Sequence, residues 1–217
     1  MSPSRTRAPP RRLVVATGNA GKLAEFRRLL ADLPFDVVSQ GELGVASVEE
    51  TGSSFLENAL IKARHAAAAT GCAALADDSG LEVDALDGAP GIHSARFAGP
   101  GADDAANNAK LLRALAPVPA ARRTARYRCV LVYLAPVSAA MESTPIVAAA
   151  EWEGRILAAP QGDGGFGYDP LFWVPECRAT AAGISGVEKD RLSHRGRAMA
   201  ALRARLAALA AADAEPP

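Results

Sequence analysis

Short apolar stretches alternate with segments of helical periodicity along most of this chain, and this alternation restricts the folds that it can adopt. Residues 13–16 form an apolar run typical of a buried strand, and residues 22–33 carry apolar side chains at helical spacing. A second strand is predicted at residues 35–38. A second helix is predicted up to residue 70, with Ser54 and Glu57 in a capping-box pattern and Gly71 as its end.

The remaining segments continue the alternation. We predict strands at residues 72–76, 81–86, 126–134, 145–153, 155–157 and 171–174, an acidic turn at 77–80, a surface loop at 88–101, and helices at 103–115 and after Ser193. Interleaved helices and strands predict one α/β domain with a mostly buried, mixed β-sheet. We expect residues 12–211 to form this domain, and residues 1–11 and 212–217 to be disordered.

Charge and cysteine content exclude several classes of protein. The first twelve residues hold four arginines and no acid, so 20 basic and 24 acidic residues remain, a net charge of −4 that does not favour nucleic-acid binding. Three widely spaced cysteines form no disulfide or zinc pattern. No apolar run approaches the roughly 20 residues that cross a bilayer. We therefore expect a cytoplasmic protein without a nucleic-acid or membrane partner.

Lysine is scarce here, with four lysines among 24 basic residues, and a compact point charge suits a phosphate chain. Lys22 ends the segment TGNAGK, which brings glycines and a lysine to a helix N-terminus, where an anion is favoured. An ordinary turn with a solvated lysine fits the pattern equally well. The segment is not a Walker A loop, because Leu23 stands where a magnesium-binding hydroxyl is needed.

Two acidic pairs are candidates for a metal site. Asp77 and Asp78 follow an apolar strand, and carboxylate oxygens suit Mg²⁺. Adjacent side chains of an extended backbone point in opposite directions, so one of the two would face the metal while the other fixes the turn; a plain Asx turn is the alternative. Glu49 and Glu50 are either a second ligand source or part of a solvated loop, and Lys62 points either to a cleft or to water.

Two further segments combine polar and aromatic residues. In GDGGFGYDP, Phe166 and Tyr168 offer faces for stacking on a base, and a buried turn joining Tyr168 to Asp169 is the alternative. In EKDRLSHRG, a helix start capped by Ser193 is surrounded by Lys189, His194 and Arg195. No Ser-His-Asp order or GxSxG elbow is present, which disfavours nucleophilic catalysis.

Five motifs in order carry a family resemblance. TGNAGK, SVEETGSSFLENALIKARHAA, ADDSGLEVDALDGAPGIHSARFAG, GDGGFGYDPLFWVPE and EK with SHRG together closely resemble the inosine triphosphate pyrophosphatase family, in particular its bacterial dITP/XTP pyrophosphatases, from residue 13 to residue 209. The resemblance implies an elongated single α/β domain with a central mixed sheet, flanking helices and two lobes around a nucleotide cleft. It also implies a homodimer that uses Mg²⁺ to hydrolyse ITP, dITP and XTP to monophosphate and pyrophosphate, cleansing the nucleotide pool.

The resemblance assigns roles by position. Asp78 would be the general base and, with Glu49, a magnesium ligand, which favours Asp78 over Asp77. The implied substrate contacts are Thr17, Gly18, Asn19, Ala20, Gly21, Lys22, Lys62, Ser79, Phe166, Gly167, Tyr168, Asp169, Lys189, His194 and Arg195. Two rival functions stay open at this point. They are a pyrophosphatase acting on pyrimidine triphosphates and a non-catalytic nucleotide sensor or tail-mediated RNA binder.

Overall fold

The predicted strand, turn and helix at the start of the chain are present in the computed structural model, which describes residues 11–136 and 144–212. The predictions for residues 1–10 and 213–217 lie outside the described residues. The strands are Arg11–Ala16 (β1), Phe35–Ser39 (β2), Ala73–Val83 (β3), Thr124–Leu134 (β4), Ile146–Ile156 (β5), Phe172–Val174 (β6) and Ala179–Thr180 (β7). The helices are Ala20–Leu29 (α1), Phe55–Thr70 (α2), Asp104–Leu115 (α3), Gly186–Leu192 (α4) and His194–Ala212 (α5).

All seven strands form one mixed sheet in the order β2-β1-β3-β4-β5-β6-β7. β1 is parallel to β2 and β3, and the later pairs are antiparallel. The last β1–β3 pair is Ala16 with Ala76, so β3 continues beyond the end of β1. The predicted α/β fold with a central mixed sheet and flanking helices is confirmed, whereas the two-lobed shape stays a prediction.

Helices cover both faces of the sheet and enclose three apolar clusters. α2 lies on one face through small residues, Ala59, Ala63 and Ala66, that let the helix approach β1, β3 and β4 closely. On the other face, α1 and α5 bring Phe26 and Met199 against the central strands. A third cluster at the far end joins α3 to β4, β5 and β6. Beyond the end of β1, the central strand β3 carries two buried polar side chains, Asp77 and Asp78.

Two predicted strand boundaries are wrong, and both lie at a glycine. DDSG is not a turn, since β3 runs through it to Val83; a Cβ on Gly80 would collide with the carbonyl of Gly91, so this glycine permits a close approach. The predicted break at Gly154 is likewise absent, because β5 is continuous there. A Cβ on Gly154 would lie 2.5 Å from the ring of Phe172. Glycine in these strands serves packing against a neighbour.

The local signals for helix ends agree with the structure. The Ser54 hydroxyl accepts a hydrogen bond from Glu57 N at 3.2 Å, and Gly71 ends α2 with a φ of 67°. Asp103 caps α3. Helix α4 and strand β7 were not predicted, because each is too short to show a period. None of the helices in the described ranges combines the length and hydropathy that a bilayer crossing requires.

Candidate active site

The loop between β1 and α1 is held by its own side chains. The Thr17 hydroxyl accepts from Asn19 N at 3.1 Å, and the Asn19 side chain caps α1 by accepting from Lys22 N at 2.9 Å. The Lys22 ammonium does not extend into solvent, because it donates to the Asp77 carboxylate. The loop therefore presents backbone groups at the start of α1 beside a fixed positive charge.

Asp77 lies at the centre of a buried ionic network. Its carboxylate accepts from Lys22, from Arg195 Nε at 3.1 Å, from the Ser79 hydroxyl at 3.1 Å and from the Cys129 thiol at 3.2 Å. Burial opposes ionisation, but the positive charges of Arg195 and Lys22 hold the pKa of Asp77 well below its usual range. Asp77 is therefore an ionised residue that fixes two cations in place.

Asp78 faces the opposite side of β3. Lys62 of α2 donates to Asp78 Oδ1 at 2.9 Å and to Glu50 Oε1 at 2.7 Å. Burial raises the pKa of Asp78, an effect that the ammonium of Lys62 partly offsets. The Oδ2 atom of Asp78 is buried and has no hydrogen-bond partner among the described residues. This carboxylate thus keeps one enclosed oxygen unpaired, and Lys62 points to the cleft.

The two residues of the second acidic pair, Glu49 and Glu50, also differ in their contacts. Glu50 reaches Lys62 and lies 3.5 Å from Arg96 Nη1, whereas Glu49 is exposed and makes no hydrogen bond or ion pair within the described ranges. Burial opposes ionisation of Glu50, but Lys62 lowers its pKa below the ordinary value. Glu50, rather than Glu49, shares a lysine with Asp78. The assignment of Glu49 as a metal ligand stays a prediction.

The donor set around Asp78 suits a hard divalent cation. Within the described residues no group of three or more His, Cys, Asp and Glu side chains could hold a metal by itself. Mg²⁺ needs only one or two carboxylates when phosphate oxygens and water complete its shell. The unpartnered Asp78 oxygen beside Glu50 fits that requirement. These residues are compatible with a magnesium ion that binds together with a phosphorylated ligand.

A second group of charges lies where α1 meets α4 and α5. Glu25 is 5% exposed; it accepts from Arg195 Nη1 and pairs with Lys189 Nζ at 3.1 Å. Lys189 also donates to Asp169 Oδ2 at 2.5 Å, and Tyr127 donates to the other oxygen of Asp169 at 3.2 Å. Lys189 and Arg195, two of the implied substrate contacts, are thus both held in buried ion pairs.

The two predicted aromatic residues differ in their surroundings. Tyr168 is buried, as in the alternative of a buried turn, but its hydroxyl donates to the Ser94 carbonyl at 2.8 Å and not to Asp169. Phe166 is half-buried, and its ring centroid lies 4.8 Å from Lys189 Nζ and 5.8 Å from Arg195 Cζ. Phe166 is therefore the residue of the pair with a face toward both cations.

His194 is buried against an aromatic ring. It stacks on Tyr127 with a centroid separation of 4.7 Å and an interplanar angle of 10°. Burial and the neighbouring Arg195 hold the pKa of His194 well below its ordinary value, so the imidazole is neutral at pH 7. Its Nδ1 atom has no hydrogen-bond partner among the described residues. A ligand is the natural partner for such a nitrogen.

The predicted residues line two adjoining cavities of about 100 and 200 Å³, which share Asn19, Lys22 and Ala95. The smaller, here the aromatic cavity, is lined among others by Ser79, Phe166, Gly167, Tyr168, Asp169, Lys189, His194 and Arg195. The larger, here the polar cavity, is lined among others by Thr17, Gly18, Glu50, Lys62 and Asp77. Ala20, Gly21, Glu49 and Asp78 line neither of the two. The structure thus brings together most of the substrate contacts that were predicted.

Sequence reasoning missed several residues of this site. Glu25 lies three positions after Lys22 on α1, and this helical spacing places both side chains on one face, a signal that could have identified it. Asp104 and Asn108 contact Gly167 from α3, a helix to which we had assigned no role. Tyr127 and Cys129 carried no local signal, since they read as ordinary strand residues.

The fold is that of an α/β protein in which a polar cavity, lined by two lysines and two carboxylates, adjoins an aromatic one, an arrangement typical of ligand sites in this class. Residues 13–205 match the Ham1 family, and the chain belongs to that family. It is 55% identical over 195 residues to a dITP/XTP pyrophosphatase of Thioalkalivibrio sulfidiphilus, covering 90% of this chain and 98% of the relative. A dITP/XTP pyrophosphatase of Xanthomonas oryzae pv. oryzae is 57% identical over 197 residues, covering 91% and 98%.

A solved structure is also similar. A HAM1 protein from Coxiella burnetii has a TM-score of 0.79 at 45% identity, with 90% of this chain and 98% of that chain covered. The resemblance read from the five motifs is confirmed.

Proposed function

We propose that the protein is a nucleoside-triphosphate pyrophosphatase that hydrolyses ITP, dITP and XTP to the monophosphate and pyrophosphate with Mg²⁺. The observation that carries this proposal is the buried, unpartnered oxygen of Asp78 beside Lys62, a lysine that lines the polar cavity. The names of the relatives support the substrate class. The polar cavity, with Lys22 and Lys62 in its lining, suits a triphosphate, and the adjoining aromatic cavity suits a base.

Asp78 is the general base of this reaction. A water molecule gives its proton to the free oxygen of Asp78 as its own oxygen attacks the α-phosphorus; the bond from that phosphorus to the bridging oxygen breaks, and pyrophosphate departs. Burial raises the pKa of Asp78, which makes the carboxylate a better proton acceptor at neutral pH. A magnesium ion held by Asp78, with Glu50 or Glu49, would supply charge stabilisation and lower the pKa of water.

Lysines neutralise the departing pyrophosphate. Lys22 and Lys62 line the polar cavity, and each is oriented by a carboxylate, Asp77 for Lys22 and Asp78 for Lys62. A prepositioned cation stabilises charge that develops in the transition state without reorganisation. Lys189 lines the aromatic cavity and is fixed by Asp169, so it acts at the sugar and base end.

Base selection rests on hydrogen-bond donors that line the aromatic cavity. A 6-oxo purine accepts from the Arg195 and His194 region, whereas adenine presents an amino group there and leaves buried donors unpaired. Guanine is excluded at its 2-position. The predicted cytoplasmic location and homodimer complete this proposal.

A substrate panel tests it. Release of pyrophosphate from ITP, dITP, XTP, ATP, GTP and pyrimidine triphosphates is measured with Mg²⁺ and again with excess chelator. We expect turnover of ITP, dITP and XTP, discrimination of at least about a hundredfold against ATP and GTP, and loss of turnover with chelator. Equal activity on ATP or GTP, or release of phosphate instead of pyrophosphate, would contradict the proposal.

A further inference from the structure

Residues 162–170, here called the aromatic loop, are held at the tip of the loop by α3. Gly167 N donates to Asp104 Oδ2 at 2.6 Å, and Asn108 Nδ2 donates to the carbonyl of Gly167 at 2.8 Å. Asp104 and Asn108 are four residues apart and therefore share one face of α3. Helix α3 thus satisfies both the N–H and the carbonyl group of Gly167, the residue that directly follows Phe166.

Packing alone would not fix this loop tip. Gly167 has a φ of 64°, and a Cβ built on it would meet no atom within 4 Å, so no neighbouring group presses on it there. Phe166 is half-buried, and its N–H is held by Asp169 Oδ2 at 2.9 Å. The backbone at Phe166 is therefore held by hydrogen bonds of Asp169 on one side and of α3 on the other, while the ring itself also lies against Gly21, Lys189 and Arg195.

The same helix also holds the opposite wall of the cavity. Asn107, which is 3% exposed, accepts from Ala98 N at 2.8 Å and donates to the Ala95 carbonyl at 3.2 Å. Ala95 lines the aromatic cavity, as Phe166 and Gly167 do. Consecutive side chains of one helix turn thus determine the separation of the two walls.

The orientation of the Asn108 amide is set by this contact. Its Oδ1 atom is buried and has no hydrogen-bond partner among the described residues, so the Gly167 carbonyl determines which way the amide points. Leaving a buried acceptor unpaired costs free energy. The amide thus uses its donor on Gly167 while its acceptor stays unpaired.

We propose that Asp104 and Asn108 are positioning residues for base selection: they fix the Gly167 peptide and thereby hold the Phe166 ring so that a base stacked on it turns its 6-position toward the His194 and Arg195 region. The proposal rests on the proposed function. Neither residue lines the polar cavity, so the pair acts on the base and not on the phosphates. Asn108 lines neither cavity, so its substitution leaves the lining of both cavities unchanged.

The test is steady-state kinetics of the full chain with dITP and dATP, together with inhibition by pyrophosphate. We compare the wild type with Asn108→Ala, Asp104→Ala and Asp104→Asn; the asparagine at position 104 keeps an acceptor for Gly167 N. For both alanine variants we expect the KM for dITP to rise about tenfold while kcat stays within about threefold, since uniform binding is lost. Preference for dITP over dATP falls, and the inhibition constant of pyrophosphate is unchanged. Asp104→Asn recovers part of the loss.

Asp103→Ala is the matched control, since Asp103 caps α3 and accepts from Ala106 N at 2.7 Å but does not touch Gly167. It should lower Tm without changing the KM for dITP. The inference is wrong if the KM of Asn108→Ala equals that of the wild type, if Asp103→Ala has the same effect, or if pyrophosphate inhibition changes in parallel. If wild type binds dITP without hydrolysing it, the proposed function fails and dissociation constants from calorimetry replace KM in the same comparison. Absence of dITP binding refutes both.

Discussion

Asp77 and Asp78 are neighbours in β3, yet their carboxylates bind lysines from different helices, Lys22 of α1 and Lys62 of α2. The cause is the alternation of side chains along an extended strand that has helices on both faces. One carboxylate is fully paired and strongly acidic, while the other keeps a free oxygen and a raised pKa. Two adjacent residues of the same type therefore have separable roles, and substitution can distinguish them.

Replacing Asp78 removes the proton acceptor. We expect Asp78→Asn to lower kcat by at least about a hundredfold while nucleotide affinity and folding are largely retained, because Lys62 keeps Glu50 as a partner. Single-turnover release of pyrophosphate and calorimetric titration with ITP measure the two effects. Near-normal turnover in this variant would remove Asp78 from the mechanism.

Replacing Asp77 instead removes a structural anion. Its side chain is 0% exposed and that of Arg195 is 2% exposed, so Asp77→Asn weakens the pairing of a buried guanidinium. We expect the free energy of unfolding to fall by about 3–5 kcal/mol, measured by urea denaturation. Asp78→Asn is the matched comparison, and a smaller loss at position 77 than at position 78 would refute the division of roles.

Gly21, in the first turn of α1, lies against Phe166 of the aromatic loop. A Cβ on Gly21 would lie 2.7 Å from Cδ1 of Phe166, so Gly21→Ala displaces the ring. We expect the KM for ITP to rise about fivefold or more, as for the loss of roughly 1 kcal/mol of binding. In a Phe166→Ala background, Gly21→Ala should have little further effect. Additive effects of the two changes would show that the ring is not the cause.

The neutral state of His194 makes stability depend on pH. The folded pKa lies below the unfolded value of about 6.5, so below that pH the unfolded chain binds a proton that the folded chain does not, and stability falls as pH falls. The charged groups acting on His194 are Arg195, Asp77, Lys189 and Lys22. Between pH 7 and 5.5 the wild type should lose about 1 kcal/mol more stability than His194→Gln. Urea denaturation at both values measures this, and equal losses would contradict it.

Much of the fold was predictable because its signals are local. Ser54 and Gly71 mark helix ends through contacts within a few residues, and these predictions are confirmed; for α3 the sequence offered Asp103 or Asp104, and the structure selects Asp103. Gly80 and Gly154 misled us, because their role is to admit Gly91 and Phe172, which are distant in sequence. A glycine that serves tertiary packing cannot be told from a turn glycine by its neighbours in the chain.

Prediction of the site from the sequence meets the same limit, because contacts between distant segments are not visible in it. The lysines and the acidic pairs stand out by residue type, but which acid pairs with which lysine depends on how α1, α2 and β3 are placed. Glu50, and not Glu49, meets Lys62 because the loop conformation selects between two adjacent glutamates. The side chains that fix the aromatic loop, Asp104 and Asn108, act across more than fifty residues of chain.

The uninterrupted course of β3 through its acidic pair has an evolutionary consequence. Asp77 and Asp78 are paired with Leu131 and Val130 of β4, so the carboxylate that we propose as the general base is held within the central sheet. Several residues that line the aromatic cavity instead come from segments 91–101 and 162–170, which lie outside this ladder. New substrate preferences can therefore arise by changes in those segments while the hydrolytic apparatus is inherited intact.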